Sequence, residues 1–245
     1  MTTNMNRSID TNSMKIMEFV TMLAEDKFLI PTFQREFVWK PENITYLWDS
    51  IYRFYPIGSI LYWVTDNYLN THRQIGGYVF PNDEKTVSRF ADWSYILDGQ
   101  QRATSLLVSL FGGNGKVRER EQFDYTLYFD ATDATFFFIH ELRKRQTEIN
   151  PAFLIRLRDI PQFYDELYER ISAEPDFNGT IDTHLKQIHH AFQEYRISLI
   201  CIHGVDIAGV CDLFERINNG GTKLESMDIW IARTFRNDPT IIFEK

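Results

Sequence analysis

The stretch YILDGQQRATSLL, residues 95–107, decides how the chain is read. Tyr95, Ile96 and Leu97 form a short apolar run, Asp98, Gly99, Gln100, Gln101 and Arg102 follow, and an apolar helical pattern begins at once. A strand that passes into a helix through a glycine is predicted. Asp98 stands where an N-cap is expected, and Gln101, three residues on, has the capping-box spacing. Ala103, Leu106, Leu107, Leu110 and Phe111 share one helical face, which is expected to be buried. Capping leaves Gln100 and Arg102 without a role. Arg102 is even mildly unfavourable there, because the helix N-terminus is already electropositive. A strand, a glycine and a helix N-terminus with an added arginine suit an anion, phosphate above all. Asp98 would repel a bare phosphate, but its carboxylate could hold Mg²⁺ or accept from a ribose or base. On spacing alone, a plain cap and a ligand site both stay open.

The patterns on either side set the fold class. Upstream, Ile16, Phe19, Val20 and Leu23 have helical spacing, with Asp10 and Ser13 as candidate caps. Residues 27–39, KFLIPTFQREFVW, read as extended, because Pro31 disfavours helix at Ile30 and β-branched and aromatic residues dominate. Pro41 suits the first turn of a helix whose buried face is Ile44, Leu47, Trp48, Ile51 and Tyr52. Pro56 and Gly58 end that segment, and SILYWV is a strand. Residues 65–92 are polar and loop-rich. Downstream of the corner the helix is expected to stop at the glycines of GGNG. FDYTLYFD and TFFFIH read as two strands of a hairpin turning at residues 131–134. Two helices follow, marked by Tyr164, Leu167, Tyr168 and Ile171, and by Ile181, Leu185, Ile188 and Phe192. YRISLICI is a returning strand. Two further helices are expected around Val210, Leu213, Phe214 and Ile217, and around Met227, Trp230, Ile231 and Thr234. The order predicts an α+β, mixed α/β fold. Its core spans residues 10–160, and a helical extension with one returning strand spans 161–245 in the same compact unit.

Composition narrows the function. The 245 residues are 44% hydrophobic and 15% aromatic, which excludes a disordered chain. A net charge of -8 weighs against a general DNA-coating surface. Basic clusters occur at residues 116–120 and 143–145 and at Arg156 with Arg158, and the first two flank the hairpin as a candidate phosphate-binding strip. The two cysteines, Cys201 and Cys211, are not spaced as metal ligands and read as buried thiols. None of the six histidines sits in a metal-nuclease spacing. The N-terminus lacks an apolar signal core, and no apolar run approaches the ~20 residues of a membrane span. A cytoplasmic location is expected.

Two further blocks carry polar groups in apolar surroundings. In IPTFQREFVW, residues 30–39, strand alternation would put Phe33, Arg35 and Phe37 on one face and Thr32, Gln34 and Glu36 on the other. That is either an edge strand with a solvated face or a second Gln-Arg pair at the corner's pocket. In LFERINNGGTKL, residues 213–224, Gly220 and Gly221 suit a helix C-cap. Arg216, Asn218, Asn219 and Thr222 are candidate donors.

Together, and in this order, IPTFQREFVW, YILDGQQRATSL and FERINNGGTKL resemble the three blocks of the GmrSD-type N-terminal domain family of bacterial anti-phage, modification-dependent restriction systems. The resemblance covers residues 10–235, and the Asp-Gly-Gln-Gln-Arg block is its most specific part. Ala103 departs from the leucine often found there. The resemblance implies a ParB/sulfiredoxin-like core with a helical C-terminal part. It also implies a nucleotide site at the corner, with NTP binding or Mg²⁺-dependent hydrolysis tied to control of DNA cleavage. Asp98, Gln100 and Arg102 would then be the catalytic set, with Asp98 as the metal residue. Gln34, Arg35, Gly99, Gln101, Thr104, Arg216 and Asn218 would hold the nucleotide. Many members continue into an HNH-type nuclease, which nothing here supplies, so a nuclease domain or subunit outside this chain is the expected partner. Homo-oligomerisation stays open. The alternatives are a DNA-binding module that recognises modified DNA and a non-catalytic scaffold for a separate nuclease subunit. Sulfur reduction is excluded, because no cysteine adjoins the corner.

Overall fold

Residues 7–118, 121–142 and 150–217 are described by the computed structural model, and they build an α+β fold. In chain order, strand β1 (Ser8–Lys15) leads into helix α1 (Ile16–Ala24), and α2 (Pro41–Tyr52) precedes β2 (Ser59–Thr65). The polar insertion holds β3 (Gln74–Ile75), β4 (Tyr78–Val79) and the short α3 (Glu84–Val87). Then β5 (Trp93–Asp98) enters α4 (Gln100–Phe111). Next come the pairs β6 (Asn114–Arg118) with β7 (Glu121–Asp124) and β8 (Leu127–Asp130) with β9 (Thr135–Phe138), the turn α5 (Ile139–Leu142), and β10 (Leu154–Arg156). Helices α6 (Ile160–Ser172) and α7 (Gly179–Glu194), strand β11 (Arg196–His203) and helix α8 (Ile207–Ile217) complete the described residues.

The main sheet is ordered β1-β11-β2-β5, with β11 antiparallel to β1 and parallel to β2, and β2 antiparallel to β5. The returning strand is therefore an inner strand, and the C-terminal segment shares its sheet with the core. Period-two alternation sorts the sheet's side chains onto two apolar layers. Ile60, Ile96, Ile197 and Leu199 join the larger cluster with α1, α2, α4 and α7. Leu61, Trp63, Trp93, Tyr95, Leu97 and Ile202 join a second cluster, closed by Val210 of α8. Burial on both faces explains why SILYWV and YIL read as continuous apolar runs. Helix α4 lies so deep that Thr104, Ser105 and Ser109 are buried with its leucines. Ser109 in turn accepts from Trp48 Nε1 at 2.9 Å.

Several expectations hold. All five predicted residues of the α2 face are buried, Pro41 opens the helix, and the β8–β9 hairpin turns at residues 131–134. Others need correction. Asp10 and Ser13 cap nothing, since they lie within β1, where residues 8–15 find ladder partners almost two hundred positions away. The residue before α1 is Lys15, without a side-chain cap. FDYTLYFD is two strands: Asp124 accepts from the Thr126 backbone N–H and hydroxyl, and that turn breaks the run. TFFFIH stops being a strand at Phe138. Phe111 is exposed, because α4 ends there and Gly112 turns the chain away. The expected helix around Trp230, and the clusters at 119–120 and 143–145, lie outside the described residues.

Candidate functional site

The corner is a strand end, one left-handed residue and a helix start. Gly99 is the residue before α4 and has φ +86°. That conformation favours glycine. A Cβ there would also press on Ile60 at 3.0 Å and on the Arg102 guanidinium at 3.3 Å. No side chain caps the helix. The expected Asp98 cap and Asp98–Gln101 capping box are therefore absent: Asp98 is the last residue of β5, one place too early, and Gly99 takes the cap position.

Gln100, Gln101 and Arg102 instead each have a long-range backbone partner, while Asp98 contacts the Arg102 side chain. Gln100 Nε2 donates to the Arg35 carbonyl at 2.8 Å. Gln101 Nε2 donates to the Glu36 carbonyl at 3.1 Å, while its Oε1 accepts from the Val38 and Trp39 amides at 2.9 and 3.2 Å. Gln34 returns the contact by donating to the Ile96 carbonyl. All three glutamines are buried. A buried amide without partners would be costly, so these bonds fix where residues 34–39 run. The segment is accordingly not the half-buried strand that alternation predicts. It bridges β5 only near Leu29, turns after Pro31, and leaves Gln34 inside with Arg35 and Glu36 both exposed.

Arg102 is held on two sides. Its Nη1 donates to the Ile57 carbonyl at 2.8 Å, and its Nη2 contacts Asp98 Oδ2 at 3.2 Å. The guanidinium is mostly buried, whereas the Asp98 side chain keeps 48% of its exposure. Gly58 makes this approach feasible, because a Cβ there would overlap Arg102 Nη1 and φ is +81°. In the sequence Gly58 marks only the end of a helical segment, and its Pro-x-Gly setting is the available signal. His72, in the insertion, lies with Nε2 3.1 Å from the Gln34 carbonyl, and its sequence context gave no signal.

The third block reaches the first through an aromatic edge contact, Phe33 to Phe214, with ring centroids 5.3 Å apart. Arg216 is exposed and pairs with Asp212 at 3.0 Å on its own helix. Asn218 lies outside the described residues. Thr104 is wholly buried, its methyl group facing Gly76, so no ligand at the surface touches it in this arrangement. Arg35 is exposed and has no ion-pair partner among the described residues. The surface of the corner thus presents Asp98 and part of Arg102, while the buried Gln100 amide holds the Arg35 carbonyl. Arg156 and Arg158 both lie near Asp159, at 4.0 and 3.7 Å. Among the described residues no group of three or more His, Cys, Asp or Glu side chains is arranged to hold a metal ion, and no helix is long and apolar enough to cross a membrane.

A family model described as GmrSD restriction endonuclease, N-terminal domain, matches residues 18–235. An uncharacterized protein of Methanocaldococcus jannaschii is 24% identical over 261 aligned residues, which take in 95% of this chain. The chain spans about 43% of the length of that relative.

Proposed function

Because the chain belongs to the GmrSD restriction endonuclease N-terminal domain family, we propose that it serves a restriction system as a nucleotide-binding regulatory domain. DNA cleavage would be done by a nuclease domain or subunit outside this chain. One observation carries this reading: α4 begins without a side-chain cap, at a bare Gly99, with Arg102 and Asp98 at the mouth. The first N–H groups of a helix have no intrahelical partners, and together with the helix dipole they favour an anion. Phosphate oxygens would be received by the N–H groups of residues 100–102 and by the exposed guanidinium of Arg35.

The donor set fits a nucleotide better than it fits a fixed metal. Asp98 is not part of any group of three or more His, Cys, Asp or Glu side chains among the described residues, which suits Mg²⁺ carried in on phosphates and not an all-protein cage. Bound so, the ion would neutralise charge between Asp98 and the phosphates and polarise them for attack. Gln100 and Gln101 act on the walls and not on the ligand, since their amides are spent on residues 35–39. Arg102 holds the Ile57–Gly58 backbone and balances Asp98.

Calorimetric titration with the four NTPs and Mg²⁺ tests the proposal. Wild-type protein should release binding heat with at least one nucleotide. Arg35→Ala should weaken that affinity about tenfold, equivalent to about 1.4 kcal/mol. Arg35 is the better probe than Arg102, whose removal also releases a backbone segment. Absence of heat with every nucleotide rejects the proposal. Steeply salt-dependent binding to modified over plain duplex, without nucleotide binding, would instead support a DNA-reading module.

A further inference from the structure

Strand β1 is an outer strand of the main sheet, paired only with β11 among the described residues. It runs for eight residues, Ser8–Lys15, and all but its last two are exposed, with Ile9 at 71%. Edge strands in soluble proteins are commonly blunted by proline, a bulge, brevity or charged side chains, and the charges of this one are confined to Asp10 and the terminal Lys15. This one has no proline, and its register against β11 is unbroken from Ser8 to Lys15. Among the described residues its outer row of backbone groups is therefore able to accept another strand.

We propose that β1 is the pairing edge for a second copy of this chain, joined antiparallel about Asn12 so that the two sheets become one. The choice of occupant rests on self-complementarity. With a two-fold axis perpendicular to the sheet, faces stay in phase only in alternate registers. Centring on Asp10 sets two carboxylates opposite each other. Centring on Thr11 sets Arg7 opposite Lys15 of the second copy. Like charges directly opposed destabilise a pair. Centring on Ser13 leaves Ser8, Ile9 and Asp10 facing the start of α1 instead of a strand. Centring on Asn12 pairs Ile9 with Lys15, Asp10 with Met14 and Thr11 with Ser13, and opposes no like charges. The Lys15 stem then covers the exposed Ile9. On its own chain Lys15 lies 3.6 Å from Glu194 and Asp10 3.6 Å from His203, so these charges of the strand are locally offset although the whole chain carries a net charge of -8.

Sedimentation equilibrium of the full chain over a concentration series tests this. The wild-type mass should rise from 29.1 kDa toward twice that value. Thr11→Lys with Ser13→Lys opposes lysines in this register and should hold the protein at the single-chain mass. Thr11→Asp with Ser13→Lys opposes unlike charges and should restore the doubling. Both positions are exposed, and far-UV circular dichroism matching wild type identifies folded monomer. A wild type fixed at 29.1 kDa, a doubled mass in the all-lysine variant, or single-chain mass in both variants overturns the proposal.

Discussion

Gln101→Leu removes a side chain that makes three bonds to one passing segment while nearly preserving volume, so little of its effect comes from a cavity. The Val38 and Trp39 amides lose their acceptor and the Glu36 carbonyl loses its donor. At about 1 kcal/mol per net hydrogen bond, with more where a buried group is stranded, the loss would be roughly 2–4 kcal/mol. Glu36 is exposed and Val38 is 54% exposed, so water can replace part of what is lost. The lower half of the range, about 2–3 kcal/mol, is expected. Gln101→Glu keeps the acceptor but turns a donor into a second acceptor against the Glu36 carbonyl. Its cost should fall between wild type and Gln101→Leu. The assay is urea unfolding, where the midpoint should drop at constant slope, together with hydrogen exchange at the amides of residues 38 and 39, which should quicken. A loss below about 0.5 kcal/mol with unchanged exchange at both amides would refute the role assigned to Gln101, because removing even one net bond should exceed it.

The remaining predictions concern Gly58 and His189. Gly58→Ala should cost about 1 kcal/mol or more, since φ is +81° and the new Cβ displaces the Arg102 guanidinium from the Ile57 carbonyl; thermal unfolding measures it, and an unchanged or raised melting temperature contradicts the packing described. His189 stacks on Tyr164 at 3.6 Å, and its pKa is held below the usual 6.5, first by burial and then by the neighbouring charge of His190, against an opposing pull from Asp165. The unfolded chain therefore binds the proton more readily, so stability should fall as pH drops below about 6.5 and level off below the folded pKa; His189→Gln should flatten that slope in urea midpoints measured across the range.

Much of the architecture was legible because it depends on neighbours in sequence. The helical spacing of Ile44, Leu47, Trp48, Ile51 and Tyr52 needs only a core to face, and the β8–β9 turn is made within its own four residues. The β5–α4 corner was legible as a corner because Gly99 supplies the left-handed residue that ends the strand. The N-terminal strand was not legible. Residues 8–15 are too polar to show apolar alternation, and their extended form comes from the ladder with β11. Nor was the inside position of Gln34, which follows from one hydrogen bond to the Ile96 carbonyl.

The sequence by itself determined that a strand enters a helix at residues 98–102, whereas the side-chain cap it suggested there is absent. Only the tertiary structure decided what the polar groups touch. Gln100, Gln101 and Gln34 reach partners 62 to 65 residues away, and Arg102 reaches one 45 residues away. Local spacing fixes which groups start a helix, because those groups lie within a turn of one another. It does not fix which distant backbone a buried amide must satisfy, since that partner exists only once the chain has folded back on itself.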